Sequence, residues 1–216
     1  MNQRTQCYPR AVKKALSALA LLALAFPPAI AATLDITVGD ARGAPVPDAV
    51  VYALPKSGPA PLRKREAAVE QRDKTFVPLV TVVQTGTAVQ FPNRDPIRHH
   101  VYSFSPAKAF ELKLYAGTPV APVLFDKAGE VVLGCNIHDH MIAYIYVVDT
   151  AWFAKTGADG KARIEGLPAG DYDLQLVHFA QAAREAPVPV KLRADETLPA
   201  AFSVALRQLT PRPAPQ

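Results

Sequence analysis

An all-β fold is what this 216-residue sequence predicts, and three observations carry the prediction. Helical periodicity is hard to find, proline is abundant at 21 residues, and short alternating or β-branched runs recur at the spacing of β-sandwiches with turn signals between them.

The N-terminus stands apart from that pattern. Arg4, Arg10, Lys13 and Lys14 precede an apolar run from Ala15 to Phe26, and Pro27-Pro28-Ala29-Ile30-Ala31 then ends in a small-x-small pattern. This is the layout of a secretory signal peptide cut after Ala31, because the apolar run is too short for an ordinary membrane span. Residues 1–31 are therefore expected to be removed and the protein to be periplasmic. Cys7 lies ahead of the apolar stretch rather than at its end, which argues against a lipoprotein anchor. It leaves with the peptide.

Four of the 24 Lys and Arg residues fall in that segment and none of the 19 Asp and Glu residues does, so the formal charge drops from +5 to +1. The high pI of about 9.2 is mostly a property of the export signal. A nucleic-acid function is excluded on that ground.

The expected strands follow in order: Leu34–Val38, Ala49–Leu54, Leu79–Val83, Ala88–Phe91, His100–Phe104, Ala109–Tyr115, Glu130–Gly134, Ala143–Val148, Ala162–Glu165, Tyr172–His178, Val188–Leu192 and Ala201–Leu206. Turn-forming residues at 39–43, Thr85-Gly86, Lys127-Ala128-Gly129 and Ala158-Asp159-Gly160 punctuate them. Pro55–Pro61 reads as a proline-rich connector, the charged run Arg63-Lys64-Arg65-Glu66 as a solvated loop, and residues 209–216 as a disordered tail.

With Cys7 gone, Cys135 is solitary in a compartment where thiols tend to be oxidised, so it cannot close an internal disulfide. The segment Gly134-Cys135-Asn136-Ile137-His138-Asp139-His140-Met141 puts a thiolate, an imidazole and a thioether at steps of three. These are donor types that suit copper. Upstream, Val89-Gln90-Phe91-Pro92-Asn93-Arg94-Asp95-Pro96-Ile97-Arg98-His99-His100-Val101-Tyr102 reads as strand, turn and strand, with a histidine where the second strand begins.

On these residues the stretch from about Val69 to Asp149 resembles the cupredoxins, the plastocyanin, pseudoazurin and amicyanin group of type 1 blue-copper proteins. In that family an aromatic residue, an Asn two positions on and a His eight positions on supply the first ligand, and Phe91, Asn93, His99 and Val101 match. The other ligands lie on a Cys-x-x-His-x(n)-Met loop before the last strand, which Cys135, His138 and Met141 match with the short spacer of amicyanin. Phe125–Val131 is similar to the family's turn into the cysteine strand. The resemblance implies a Greek-key sandwich holding one type 1 copper, cycling between Cu(I) and Cu(II), on His99, Cys135, His138 and Met141. His100 stands where the family often has Asn and Ile137 where it often has Pro. His100 competes with His99 for the first ligand, and strand alternation allows only one of the two to face the metal.

Zinc is the competing metal, because Cys135, two histidines and Asp139 could satisfy it. Met141 would then have no role, and donor softness favours copper. The expected four-ligand set leaves no position for substrate, which points to a protein other than an enzyme. Two functions follow: a carrier of single electrons between redox partner proteins, or a copper carrier or sensor for which His100, Asp139 and His140 supply extra donors.

Residues 34–52 and 156–174 resemble the early and later strands of a carboxypeptidase-regulatory-like, transthyretin-type sandwich. The combination is similar to periplasmic methylamine-utilisation-type proteins. The expected organisation is a regulatory-like sandwich in two parts, 32–62 and 151–208, around a copper domain at 63–150. His178, Trp152, Phe153, Tyr144 and Tyr146 are expected to serve packing, and His140 to be exposed.

Overall fold

The computed structural model describes residues 31–63, 65–119 and 121–208. The expected signal peptide up to Ile30 and the expected tail at 209–216 lie outside the described residues. Among the described residues the chain is all β, and no helix is long and apolar enough to cross a membrane.

The strands run β1 (Ala32–Asp40), β2 (Val50–Pro55), β3 (Ala67–Ala68), β4 (Glu70–Arg72), β5 (Thr75–Val77) and β6 (Val80–Gln84). Next come β7 (Thr87–Gln90), β8 (His99–Ser105), β9 (Lys108–Tyr115), β10 (Val123–Phe125), β11 (Gly129–Gly134) and β12 (Ile142–Val148). The last are β13 (Phe153–Lys155), β14 (Lys161–Leu167), β15 (Gly170–Val177), β16 (Val188–Leu192) and β17 (Thr197–Val204). The twelve expected runs all fall on strands. Missed were β3, β4, β5, β10 and β13, which at two or three residues are too short to show a period.

Four sheets stack with three apolar layers between them. Sheet β14-β1-β17 and sheet β13-β2-β15-β16 enclose one core. Sheet β6-β12-β11-β8-β9 and sheet β10-β7-β3 enclose another, with the hairpin β4-β5 beside them. The chain changes sheet between β6 and β7, between β7 and β8, and again on either side of β10, the crossing pattern of a Greek-key sandwich.

The third layer joins the two sandwiches, and side-chain alternation builds it. On β2, Val51 and Ala53 enter the first core while Val50 and Tyr52 enter the joining layer. On β12, Ala143, Ile145 and Val147 enter the second core while Tyr146 and Val148 meet Val50 and Tyr52. Covering both faces of a strand requires apolar residues at odd and even positions alike, which is why both runs read as continuous apolar stretches.

The segment between β2 and β3, expected as a proline-rich connector with a solvated charged run, is exposed at Arg63, Arg65 and Glu66 yet makes specific contacts. Ala60 packs against the first core. The Arg63 amide donates to Gln84 Oε1 at 2.9 Å, Gln84 Nε2 donates to the Pro61 carbonyl at 2.9 Å, and the Arg65 guanidinium sits 5.1 Å over the Phe153 ring. Its partners come from β6 and β13, remote in sequence.

The residues assigned to packing take that role. Trp152 is buried in the first core, edge-on to Tyr172 at 5.7 Å, with its Nε1–H donated to the Gly166 carbonyl at 2.9 Å. Tyr144 stacks on Phe179 at 4.8 Å, Tyr146 is buried in the joining layer, and Phe153 packs against it. His178 follows β15, buried, and its Nδ1 accepts the Ala180 N–H at 3.1 Å.

Candidate metal centre

Two structural units meet at one end of the second sandwich. The first is the loop from Phe91 to Arg98, stitched together by Asn93. Asn93 Nδ2 donates to the carbonyls of Ile97 at 2.8 Å and Tyr115 at 2.9 Å, its Oδ1 accepts the Asp95 N–H at 3.0 Å, and its own N–H donates to the Gly117 carbonyl at 2.7 Å. A short amide side chain can bridge both sides of such a turn. Phe91 anchors the start of the loop, buried with its ring 5.4 Å from Phe110 and 6.4 Å from Phe125.

This loop delivers His99 to the first position of β8. From there the strand alternates: His99, Val101 and Ser103 are buried on one side, and on the other burial falls from His100 through half-buried Tyr102 to Phe104, which is 85% exposed. His99 faces the core end, and His100 faces the other side of the sheet. There its Nε2 lies 2.9 Å from Glu111 Oε1 and its ring is 5.9 Å from Tyr102. That contact is an ion-pair approach rather than an aligned hydrogen bond, since Nε2 of His100 lacks a partner of hydrogen-bond geometry.

The second unit is the hairpin of β11 and β12. Gly134 and Ile142 are its last paired residues, so Cys135 and Met141 are the next positions outward on the two stems. They share the side of Leu133 and Ala143, and all four belong to the second core. The Met141 N–H donates to the His138 carbonyl at 2.9 Å, closing the turn. Gly134 has a steric reason to be glycine: a Cβ there would stand 2.7 Å from the Tyr102 ring on the neighbouring strand.

The two units bring three predicted residues together. One nitrogen each from His99 and His138 and the Cys135 sulfur lie within 4.8 Å of one another. The rings of His99 and His138 are 5.2 Å apart. Cys135, Met141 and His99 are buried at 2%, 1% and 0% exposure, and His138 is half-buried. Asp139 is exposed and outside this group. His140 is half-buried rather than exposed: its ring is 5.7 Å from His138, and its Nε2–H donates to the Lys74 carbonyl at 3.0 Å.

The protonation pattern suits a cation. His99 Nε2 lies 2.6 Å from Asp95 Oδ2, and Asp95 also accepts the amides of Asp73 at 2.7 Å and Lys74 at 3.0 Å. Burial raises the Asp95 pKa, but those hydrogen bonds and the nearby imidazole outweigh it and hold the carboxyl below its ordinary value. An ionised carboxylate only accepts, so Nε2–H of His99 donates to it, which leaves Nδ1 as the ring nitrogen available to a metal ion. Nδ1 of His99 and Nδ1 of His138 are both buried with no hydrogen-bond partner. Desolvation lowers the His138 pKa, reinforced by the neighbouring His99, His140 and Lys74 and opposed by Asp95. A neutral imidazole is the form that ligates metals. Two orphaned imidazole nitrogens beside a buried thiol therefore fit a soft or borderline metal ion, since buried polar atoms otherwise find partners.

Sequence reasoning gave no role to Asp95, nor to the Asp73–Lys74 turn. Asp95 stands four residues before His99 within the motif already singled out. That a carboxylate precedes the candidate ligand histidine was the available signal. The turn had none, being remote in sequence.

No family model and no curated protein matches this sequence. Among solved structures, it is similar to a copper-containing nitrite reductase from Thermus scotoductus SA-01 at 24% identity and a TM-score of 0.36, over 44% of this chain and 26% of that one. The chain thus spans about a quarter of that enzyme's length. A purple cupredoxin from Nitrosopumilus maritimus aligns at 18% identity and a TM-score of 0.34, over 38% of this chain and 98% of its own. Amicyanin from Paracoccus versutus aligns at 14% identity and a TM-score of 0.33, over 44% of this chain and 97% of its own. These neighbours are cupredoxins or contain copper, and the likeness is partial and low in score.

Proposed function

We propose that this protein holds one type 1 copper on His99, Cys135, His138 and Met141 and carries single electrons between redox partners in the periplasm. The observation that carries the reading is the convergence of one ring nitrogen each from His99 and His138 on the buried Cys135 thiol, both rings having an unpartnered Nδ1, with Met141 on the adjoining hairpin stem. Two imidazoles, a thiolate and a weak thioether accommodate both Cu(I) and Cu(II), so the bound ion supplies a reversible one-electron couple.

The chain's residues support that role in distinct ways. Asn93 holds the loop that presents His99, and the Met141-to-His138 hydrogen bond sets the turn that presents the other three. Burial of Cys135 excludes water and oxidants from the thiol. His138 is half-buried, unlike the other three residues, and Ile137 beside it is 46% exposed. Electrons therefore enter and leave at the His138 edge. A filled ligand set leaves no position for a substrate, which supports a carrier over an enzyme. His140 and Asp139 lie outside the group of donor atoms within 4.8 Å of one another, which weighs against the copper-delivery alternative.

Cu(II) added to the purified protein without its signal segment should give an intense visible thiolate-to-copper absorption that is bleached and restored by one-electron reduction and reoxidation. Colourless, weakly held copper, or equal affinity for Zn(II) with no redox response, would defeat the proposal.

A further inference from the structure

Asp95 is held in the surroundings of this site by the β4–β5 hairpin. The β4–β5 hairpin turns on Asp73 and Lys74, both with positive φ, at 53° and 55°. Two successive left-handed residues make a type I′ turn, which favours Asn, Asp or Gly, so Lys74 sits there at a cost. In this shape both turn amides point at one carboxylate: Asp73 N–H to Asp95 Oδ1 at 2.7 Å and Lys74 N–H to Asp95 Oδ2 at 3.0 Å. The Lys74 carbonyl meanwhile accepts from His140 at 3.0 Å. One turn thus braces both halves of the site, the His99 loop through Asp95 and the Cys135–Met141 loop through His140. The side chain of Asp95 is 8% exposed and that of His99 is fully buried, so water does not compete for their 2.6 Å hydrogen bond.

We propose that Asp95 is the positioning residue for His99: held by the Asp73–Lys74 turn, it fixes the ring as the Nε2–H tautomer, aims Nδ1 at Cys135 and His138, and with copper bound favours Cu(II) over Cu(I). The copper part rests on the function proposed above, and the tautomer part does not. A carboxylate hydrogen-bonded to the remote nitrogen of a ligand histidine fixes its orientation and raises its basicity, and loss of such a partner typically costs about 10–100-fold in metal affinity. A more basic donor and a nearby negative charge both stabilise the higher oxidation state, so removing them raises the reduction potential.

Two measurements test this. In the metal-free protein, ¹⁵N-histidine NMR, with the His99 signal assigned by its disappearance in His99→Gln, should show protonated Nε2 and bare Nδ1. Asp95→Ala should convert that signal to a mixture of tautomers, and an unchanged signal overturns the positioning role. In the copper-loaded protein, Asp95→Asn removes the charge and keeps an acceptor oxygen. It should keep the visible band and lose preference for Cu(II) about tenfold, a rise of about 59 mV for one electron. An unchanged potential overturns the tuning role. Circular dichroism of each metal-free variant separates these results from loss of fold, and Asp95→Glu should restore the tautomer if a variant unfolds. If wild-type protein takes up no coloured copper, the proposed function fails while the NMR comparison still decides the role of Asp95.

Discussion

The two sandwiches of this molecule are built alike and finished differently. In the core between β14-β1-β17 and β13-β2-β15-β16, the buried polar groups are paired: Trp152 donates to Gly166, Tyr172 to Pro168 at 2.8 Å, and Thr156 donates to Val46 at 2.7 Å while accepting from Ala49 at 2.9 Å. At the end of the other sandwich, Nδ1 of His99 and Nδ1 of His138 are buried and unpaired beside a free thiol. A frame optimised only for stability would pair or expose such atoms, because leaving a buried polar atom unsatisfied costs about 1–3 kcal/mol. In the first core these groups satisfy one another, whereas the second sandwich leaves two imidazole nitrogens unpaired at its candidate site.

The largest test of that contrast is Cys135→Ser. It should abolish the visible absorption of the copper-loaded protein entirely while circular dichroism of the metal-free protein stays that of the wild type. Retained colour would remove the thiolate from the site. His99→Ala and His100→Ala sharpen the same point, because they delete neighbouring rings on opposite faces of β8. The first should lose the native copper spectrum and the second should keep it; equal retention in both would break the assignment.

Leu174, fully buried in the first core, probes the other region. Leu174→Ala should cost about 2–5 kcal/mol in denaturant unfolding of the metal-free protein and leave the copper spectrum unchanged. A shifted spectrum would mean that the sandwiches are coupled through their shared layer more strongly than the contrast implies.

The smallest effect concerns His178. Burial disfavours its imidazolium and holds its pKa below the ordinary 6.5, against the opposing influence of a hydrogen bond with the Pro47 backbone and the Asp48 charge. As pH falls past about 6.5, an unfolded chain therefore takes up this proton before the folded one does. Stability is lost from there down to the folded-state pKa, and protonation of Nδ1 would also break its bond from Ala180. His178→Asn should flatten the difference in unfolding free energy between pH 7.5 and pH 5.5 relative to wild type. An identical difference in both proteins would show that this ring is not among the groups that titrate.

Much of the fold was readable in residue order because the strands that matter are long enough to show their period. Leu34, Ile36 and Val38 alternate into the first core, and Tyr172, Leu174 and Leu176 do the same from β15. The short strands β3, β4, β5, β10 and β13 were not readable. A segment of two or three residues has no measurable period and is strand only because a neighbour pairs with it. Lys74 is the extreme case: its left-handed backbone is unfavourable for lysine, and nothing local announces that its amide will meet Asp95.

The sequence by itself determined the all-β class, the donor types and the local spacing that places Cys135, His138 and Met141 on one turn. It could do so because alternation and turn chemistry act over a few residues. Tertiary structure decided the rest: that His99 rather than His100 joins Cys135 and His138, that Asp95 holds the ring, and that the two sandwiches share a third apolar layer. Each of these depends on which strand lies beside which, and pairing between segments tens of residues apart is set by the packing of whole sheets.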